Sequence, residues 1–82
     1  MYYVYLLESV SIPPHRYVGV TEDLKARLAV HNAGGSPHTA ANRPWRVVTY
    51  IAFSGQARAL AFERYLKSGS GHAFARKRLW PS

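Results

Sequence analysis

Six consecutive residues near the N-terminus, Tyr2-Tyr3-Val4-Tyr5-Leu6-Leu7, are all aromatic or aliphatic. Successive side chains of a strand point to opposite faces, so a strand with one solvated face alternates apolar and polar residues. This segment does not alternate. It reads as a short strand covered on both sides, and the chain must therefore supply a layer above the sheet and another below it. With 82 residues it can supply little more, and a single domain over residues 1–82 is expected.

The remaining segments provide that cover. Ser9 to His15 contains Pro13-Pro14, cannot continue a ladder and reads as a loop. Arg16-Tyr17-Val18-Gly19-Val20 reads as a second strand returning antiparallel to the first. Thr21 offers an N-cap hydroxyl, with Glu22 and Asp23 in the first helical turn, where the helix dipole favours negative charge. That helix should run to about Asn32 and stop at Gly34-Gly35. Residues 34–45 form a long loop for so small a protein. Arg46 to Phe53 is rich in β-branched and aromatic residues and reads as a third strand. A second helix should open at Ser54 or Gly55 and reach about Lys67, where Ser68-Gly69-Ser70-Gly71 breaks it. A short basic helix, Ala73 to Leu79, closes the chain. The order is ββαβαα, an α+β fold with a three-stranded, mainly antiparallel sheet flanked by two to three helices.

Charge narrows the choice of partner. Eleven Lys and Arg stand against four Asp and Glu, a formal net charge of +7. Eight of the cations are Arg, spread from Arg16 to Arg78, and a folded basic domain of this kind suits a polyanion. An apolar fraction of 48% with only 18% charged residues argues against disorder. The absence of Cys excludes disulfides, thiolate metal sites and a cysteine nucleophile, and makes the cytoplasm the default compartment. The longest apolar run, Met1 to Leu7, is far short of the roughly 20 residues of a membrane span. It also lacks the flanks of a signal peptide, so no membrane partner is expected.

Helical spacing then picks out polar residues on apolar stripes. Leu24, Arg27, Leu28 and His31 fall on one face of the first helix, with Arg27 and His31 one turn apart. Ala59, Phe62, Glu63 and Leu66 repeat that spacing in the second helix, which turns Glu63 toward the sheet. A partly buried carboxylate needs a cation, a metal or several donors. Glu63 therefore reads either as an ion pair with Arg27 or Arg58 or as a metal ligand. The other acids have local explanations: Glu8 ends a strand, and Glu22 and Asp23 belong to the helix start. His31 taken singly reads as a helix-end histidine meeting the last carbonyls. His15, His38 and His72 lie in expected loops at no zinc-like spacing. On the strands, Tyr3 and Tyr5 share one face, as do Tyr17 and Gly19. A strand glycine leaves a hollow for another backbone or a ligand.

Taken together, these residues resemble the GIY-YIG nuclease superfamily. Tyr3-Val4-Tyr5 stands for the first signature strand, without its Gly and Ile, and Tyr17-Val18-Gly19 for the second, twelve positions on. The family's arginine matches Arg27, ten residues after Tyr17, its common histidine matches His31, and its metal-binding glutamate matches Glu63. The likeness runs from Tyr2 to about Ser70. It is closest to the small stand-alone bacterial members, through Thr21-Glu22-Asp23-Leu24, Asn42-Arg43-Pro44-Trp45 and Leu66-Lys67-Ser68.

The resemblance implies a small GIY-YIG-like sandwich and a metal-dependent DNA endonuclease of low sequence specificity. It places one Mg²⁺ or Mn²⁺ on Glu63, since a two-metal site normally needs several carboxylates. Arg27 would face a non-bridging phosphate oxygen. Tyr17, or Tyr5 in the alternative assignment, would take or relay a proton from the attacking water, with His31 supporting it or protonating the leaving group. Arg43, Arg46, Lys67, Arg76, Lys77 and Arg78, with the 34–45 loop that carries His38 and Thr39, would track the backbone of branched or single-stranded DNA, with RNA left open. Trp45 and Trp80 could stack on an unpaired base, although packing is the simpler role for each. Residues 64–82 contain no asparagine, which well-studied nuclease members carry after the glutamate. The alternative is accordingly a non-catalytic or weakly catalytic nucleic-acid-binding module of the same fold.

Overall fold

The computed structural model describes residues 1–81. Strands β1 (Tyr2–Ser9), β2 (Arg16–Thr21) and β3 (Trp45–Phe53) form one sheet in the order β2-β1-β3, with both pairings antiparallel. Helices α1 (Leu24–Asn32), α2 (Gln56–Leu66) and α3 (Gly69–Arg78) complete the expected ββαβαα order. The unbroken apolar run is thus the central strand, and its two faces bury different cores. Val4 and Leu6 pack with Ala59, Leu66 and Ala75 from α2 and α3. Tyr5 and Leu7 pack with Trp45, Tyr17, Leu24 and Leu28 on the α1 side.

Two helix starts differ from the sequence reading, each for a local reason. Asp23, not Thr21, caps α1: its carboxylate accepts from the Ala26 N–H at 3.0 Å, while Thr21 still pairs with Tyr3 as the last residue of β2. The first turn of α1 consequently holds no acid. Helix α3 starts at Gly69 instead of Ala73, because the Ser68 hydroxyl accepts from the Gly71 N–H and opens a new helix where the old one stops. The long loop contains a 3-10 turn at Ala40–Asn42.

Glu8 is more than a strand end. It is 5% exposed, and its two carboxylate oxygens meet Arg16 at 3.2 Å and Arg46 at 3.3 Å across the three strands. Arg16 also lies over the Trp80 ring at 4.8 Å, which fastens the chain's end to the sheet together with the bond from Thr49 Oγ1 to the Leu79 carbonyl. Trp45 is buried and donates its indole N–H to the Thr39 carbonyl, so it is a core residue.

The α2–α3 corner depends on one missing side chain. A Cβ at Gly71 would collide with the Tyr65 carbonyl oxygen and crowd Leu66 Cα, both backbone atoms that cannot yield. Gly69, two residues earlier, faces open space. Gly71→Ala should therefore destabilise the fold by about 3 kcal/mol or more. Gly69→Ala should be neutral, or stabilising by up to about 1 kcal/mol. Urea denaturation of the two variants beside the parent checks the pair.

Candidate active site

Strands β1 and β2 bring two tyrosines and a glycine into one small area. Tyr5 stands opposite Gly19, and Leu7 opposite Tyr17, so Tyr5 and Tyr17 are diagonal neighbours on the α1 face with ring centroids 6.3 Å apart. The Tyr5 ring lies across Gly19, where a Cβ would come within 2.6 Å of Tyr5 Cζ. The hollow expected at Gly19 is thus filled by the chain's own tyrosine.

Helix α1 adds the next two groups from one side. His31 is 1% exposed, with ring centroids 5.1 Å from Tyr17 and 5.8 Å from Tyr5. Its Nε2 is hydrogen-bonded to Tyr5 Oη at 2.9 Å and its Nδ1 to Thr39 Oγ1 at 2.7 Å. The helix-end reading of His31 is corrected by this geometry. The final carbonyls of α1 are satisfied by the N–H groups of Ala33, Gly34 and Gly35, which leaves the imidazole free to reach across the core. Thr39, expected with its loop to meet a nucleic-acid backbone, is instead fully buried against His31, a pairing that a loop threonine, with no periodic signal, does not announce. Arg27, one turn before His31, is exposed and forms no ion pair with a carboxylate among the described residues.

The electrostatics follow from this packing. Burial, reinforced by Tyr17, pushes the Tyr5 phenol up to about 12; the Arg27 charge and hydrogen bond oppose the rise, and Glu63 adds a weaker push upward. Burial, then the positive charge of Arg27, holds His31 below the usual histidine value. Both groups are therefore neutral near pH 7.

Glu63 lies on α2, which packs on the sheet face opposite the tyrosine pair. A cleft of about 210 Å³ at the β2 edge is lined by Arg27 from α1 and by Gln56 and Leu60 from α2, together with Tyr2, Thr21 and Glu22. Gln56, Leu60 and Glu63 follow one another along the same helical stripe. The Glu63 side chain is half-buried and pairs with Lys67, one turn on, instead of with Arg27 or Arg58.

The other cations divide. Arg46 is held by Glu8 and Lys67 by Glu63, and the Arg43 guanidinium packs against Gly34, whose φ of +82° forms the turn after α1. His38, Arg76, Lys77 and Arg78 are exposed. The last three lie in the final turn of α3, where cations complement the helix dipole, on the sheet face opposite Tyr5. Tyr5, Tyr17, Arg27 and His31 are gathered; the α3 cations are not gathered with them.

Because the folded His31 value lies below the unfolded one, protonation favours the unfolded chain. Its contribution is complete above about pH 6.5 and is lost as pH falls through the lower folded value. Stability should thus decline on acidification below about pH 6.5. The decline should be shallower in His31→Gln, measured as the pH dependence of the urea midpoint.

Comparison with known proteins identifies the family. The sequence profile of the GIY-YIG catalytic domain matches residues 1–77. A UPF0213 protein of Lacticaseibacillus paracasei is 39% identical over 72 residues, covering 87% of this chain and 79% of that protein. A UPF0213 protein of Cupriavidus pinatubonensis is 38% identical over 63 residues, covering 76% of this chain and 68% of the relative. The structure-specific endonuclease subunit SLX1 of Candida dubliniensis is 38% identical over 73 residues, covering 80% of this chain but only 26% of that longer protein. No solved structure shows significant similarity to the chain. No described helix is long and apolar enough to cross a membrane. With the profile spanning nearly the whole sequence and the two tyrosines, the arginine and the histidine converging on one face, the chain belongs to the GIY-YIG family of nuclease domains.

Proposed function

We propose that this protein is a divalent-metal-dependent endonuclease that hydrolyses phosphodiester bonds in DNA. Branched, flapped or single-stranded sites are the preferred substrates, with little sequence reading. The observation that carries this reading is Arg27: an exposed guanidinium with no carboxylate partner among the described residues, set beside two tyrosines and a neutral histidine. A phosphate oxygen is the group that such a fork lacks. The structure-specific action that the SLX1 relative's name gives supports structure over sequence as the selected feature.

The donor set suits one hard cation. Among the described residues no three His, Cys, Asp or Glu side chains come together. Glu63 alone is what Mg²⁺ or Mn²⁺ sites built from one carboxylate, substrate phosphate and water employ. Bound there, the ion would relieve charge on the scissile phosphate. Arg27 would bind a non-bridging oxygen and hold the phosphate over the tyrosine pair. Tyr17 is the better candidate to accept the proton of the attacking water, because it is half-buried, whereas Tyr5 is 1% exposed and pushed up to about 12. A phenol is a weak base at neutral pH and takes up a proton only as the phenolate. His31 orders the pair from behind through Tyr5 Oη. The Glu63–Lys67 pair favours the second reading, a nucleic-acid-binding module, since Lys67 satisfies the carboxylate without a metal.

The two readings separate in a cleavage assay. Supercoiled, single-stranded, flapped and branched DNA are incubated with the protein in Mg²⁺, Mn²⁺ or EDTA. Cleavage should vanish in EDTA and drop by about 100-fold or more in Tyr17→Phe, Arg27→Ala and Glu63→Gln. Binding of DNA with no cleavage of any substrate would establish the module instead.

Metal binding can be read without turnover. Lys67→Met frees the Glu63 carboxylate and should tighten Mn²⁺ binding by up to about fivefold, the equivalent of the ~1 kcal/mol that an exposed pair contributes. Glu63→Gln should abolish it. Electron paramagnetic resonance titration of free Mn²⁺ measures both.

A further inference from the structure

Thr39 is the most completely buried polar residue among those described, at 0% exposure. It is fixed from several directions. Its carbonyl accepts the Trp45 indole N–H at 2.8 Å, and its hydroxyl lies 2.7 Å from His31 Nδ1. Trp45 is itself clamped through its backbone by the Asn32 side chain, at 2.6 Å and 3.0 Å. A run of side chains therefore links the start of β3 through the loop to Tyr5 Oη.

A neutral imidazole has one N–H and one bare nitrogen, so this run admits two proton arrangements. In the first, Tyr5 donates to Nε2 and Nδ1–H donates to Thr39. The Thr39 hydroxyl hydrogen is then fully buried with no acceptor among the described residues. In the second, Thr39 donates to Nδ1 and Nε2–H donates to Tyr5 Oη. The hydrogen left over is now that of Tyr5, at the end of the run that borders exposed Arg27. Tyr5 is itself buried, so either arrangement leaves one hydroxyl hydrogen without an acceptor in the free protein; a phosphate oxygen held at Arg27 would accept from Tyr5, not from Thr39 on the far side of the ring.

We propose that Thr39 is a positioning residue that fixes His31 as the Nε2–H tautomer and thereby presents Tyr5 Oη as a hydrogen-bond donor to an anionic oxygen of the substrate. The hydrogen-bonded run stands on the buried geometry; the choice of tautomer and the role of Tyr5 toward substrate rest on the nuclease reading. Tyr5 then binds and Tyr17 is left to take the proton of water. Neutrality of the ring is favoured by its burial and by the Arg27 charge.

Long-range ¹H–¹⁵N correlation NMR of the full chain tests this, with His31→Gln to assign the ring. The parent and Thr39→Ser should show a protonated Nε2 and a bare Nδ1 shifted upfield by its hydrogen bond. In Thr39→Val the Nδ1 resonance should move downfield. A protonated Nδ1 in the parent overturns the proposal even if Thr39→Val does not fold, and an Nδ1 resonance unmoved by that substitution overturns it as well. Cleavage should fall about tenfold in Thr39→Val and be retained in Thr39→Ser. A parent with the expected tautomer that cleaves no DNA would defeat the nuclease reading while supporting the role of Thr39 in the ring's geometry.

Discussion

Strand β1 buries Val4 and Leu6 on one side and Tyr5 and Leu7 on the other, and every other element is placed by that double demand. The α2–α3 pair closes one face. On the other face α1, Trp45 and the loop ending at β3 do the same, with a polar residue, His31, among the groups that complete the layer. A buried imidazole is tolerated only when both nitrogens find partners, and Tyr5 and Thr39 supply them. The packing of the domain and the assembly of its candidate site are therefore one problem with one solution.

Much of this was legible in the sequence because it is periodic or local. The unbroken run from Tyr2 to Leu7 required a central strand, the helical stripes put Arg27 and His31 on one face, and Gly19 marked a close approach. What the sequence concealed was pairing across long separations. Glu8 looked like a strand end because its partners, Arg16 and Arg46, lie on two other strands. Thr39 and Asn32 looked like loop and helix-end residues because their partners are fixed by tertiary packing. The start of α3 was missed for a different reason: a serine able to cap a helix and glycines able to end one look alike until the next turn is built.

The distribution of charge also changes its meaning in three dimensions. A net charge of +7 suggests a uniform attraction, but Glu8 holds two of the arginines at the far end of the sheet and Glu63 holds a lysine. Arg27 is left as the guanidinium that stands at the tyrosine pair without an acid. On the proposed reading, long-range attraction and site-specific recognition of a phosphate would be carried by different residues, which can be altered separately.

The Asn32 clamp has a consequence for the sheet as a whole. Its amide donates to the Trp45 carbonyl and accepts from the Trp45 N–H, as the residue of a neighbouring strand would. Those groups point away from β1, along the side of β3 that pairs with no other strand of the sheet. A single side chain thus stands in for a fourth strand at the first position of that edge, where unpaired backbone groups invite association with another chain. The amide that anchors the loop behind His31 is also a guard against the sheet growing by one more strand.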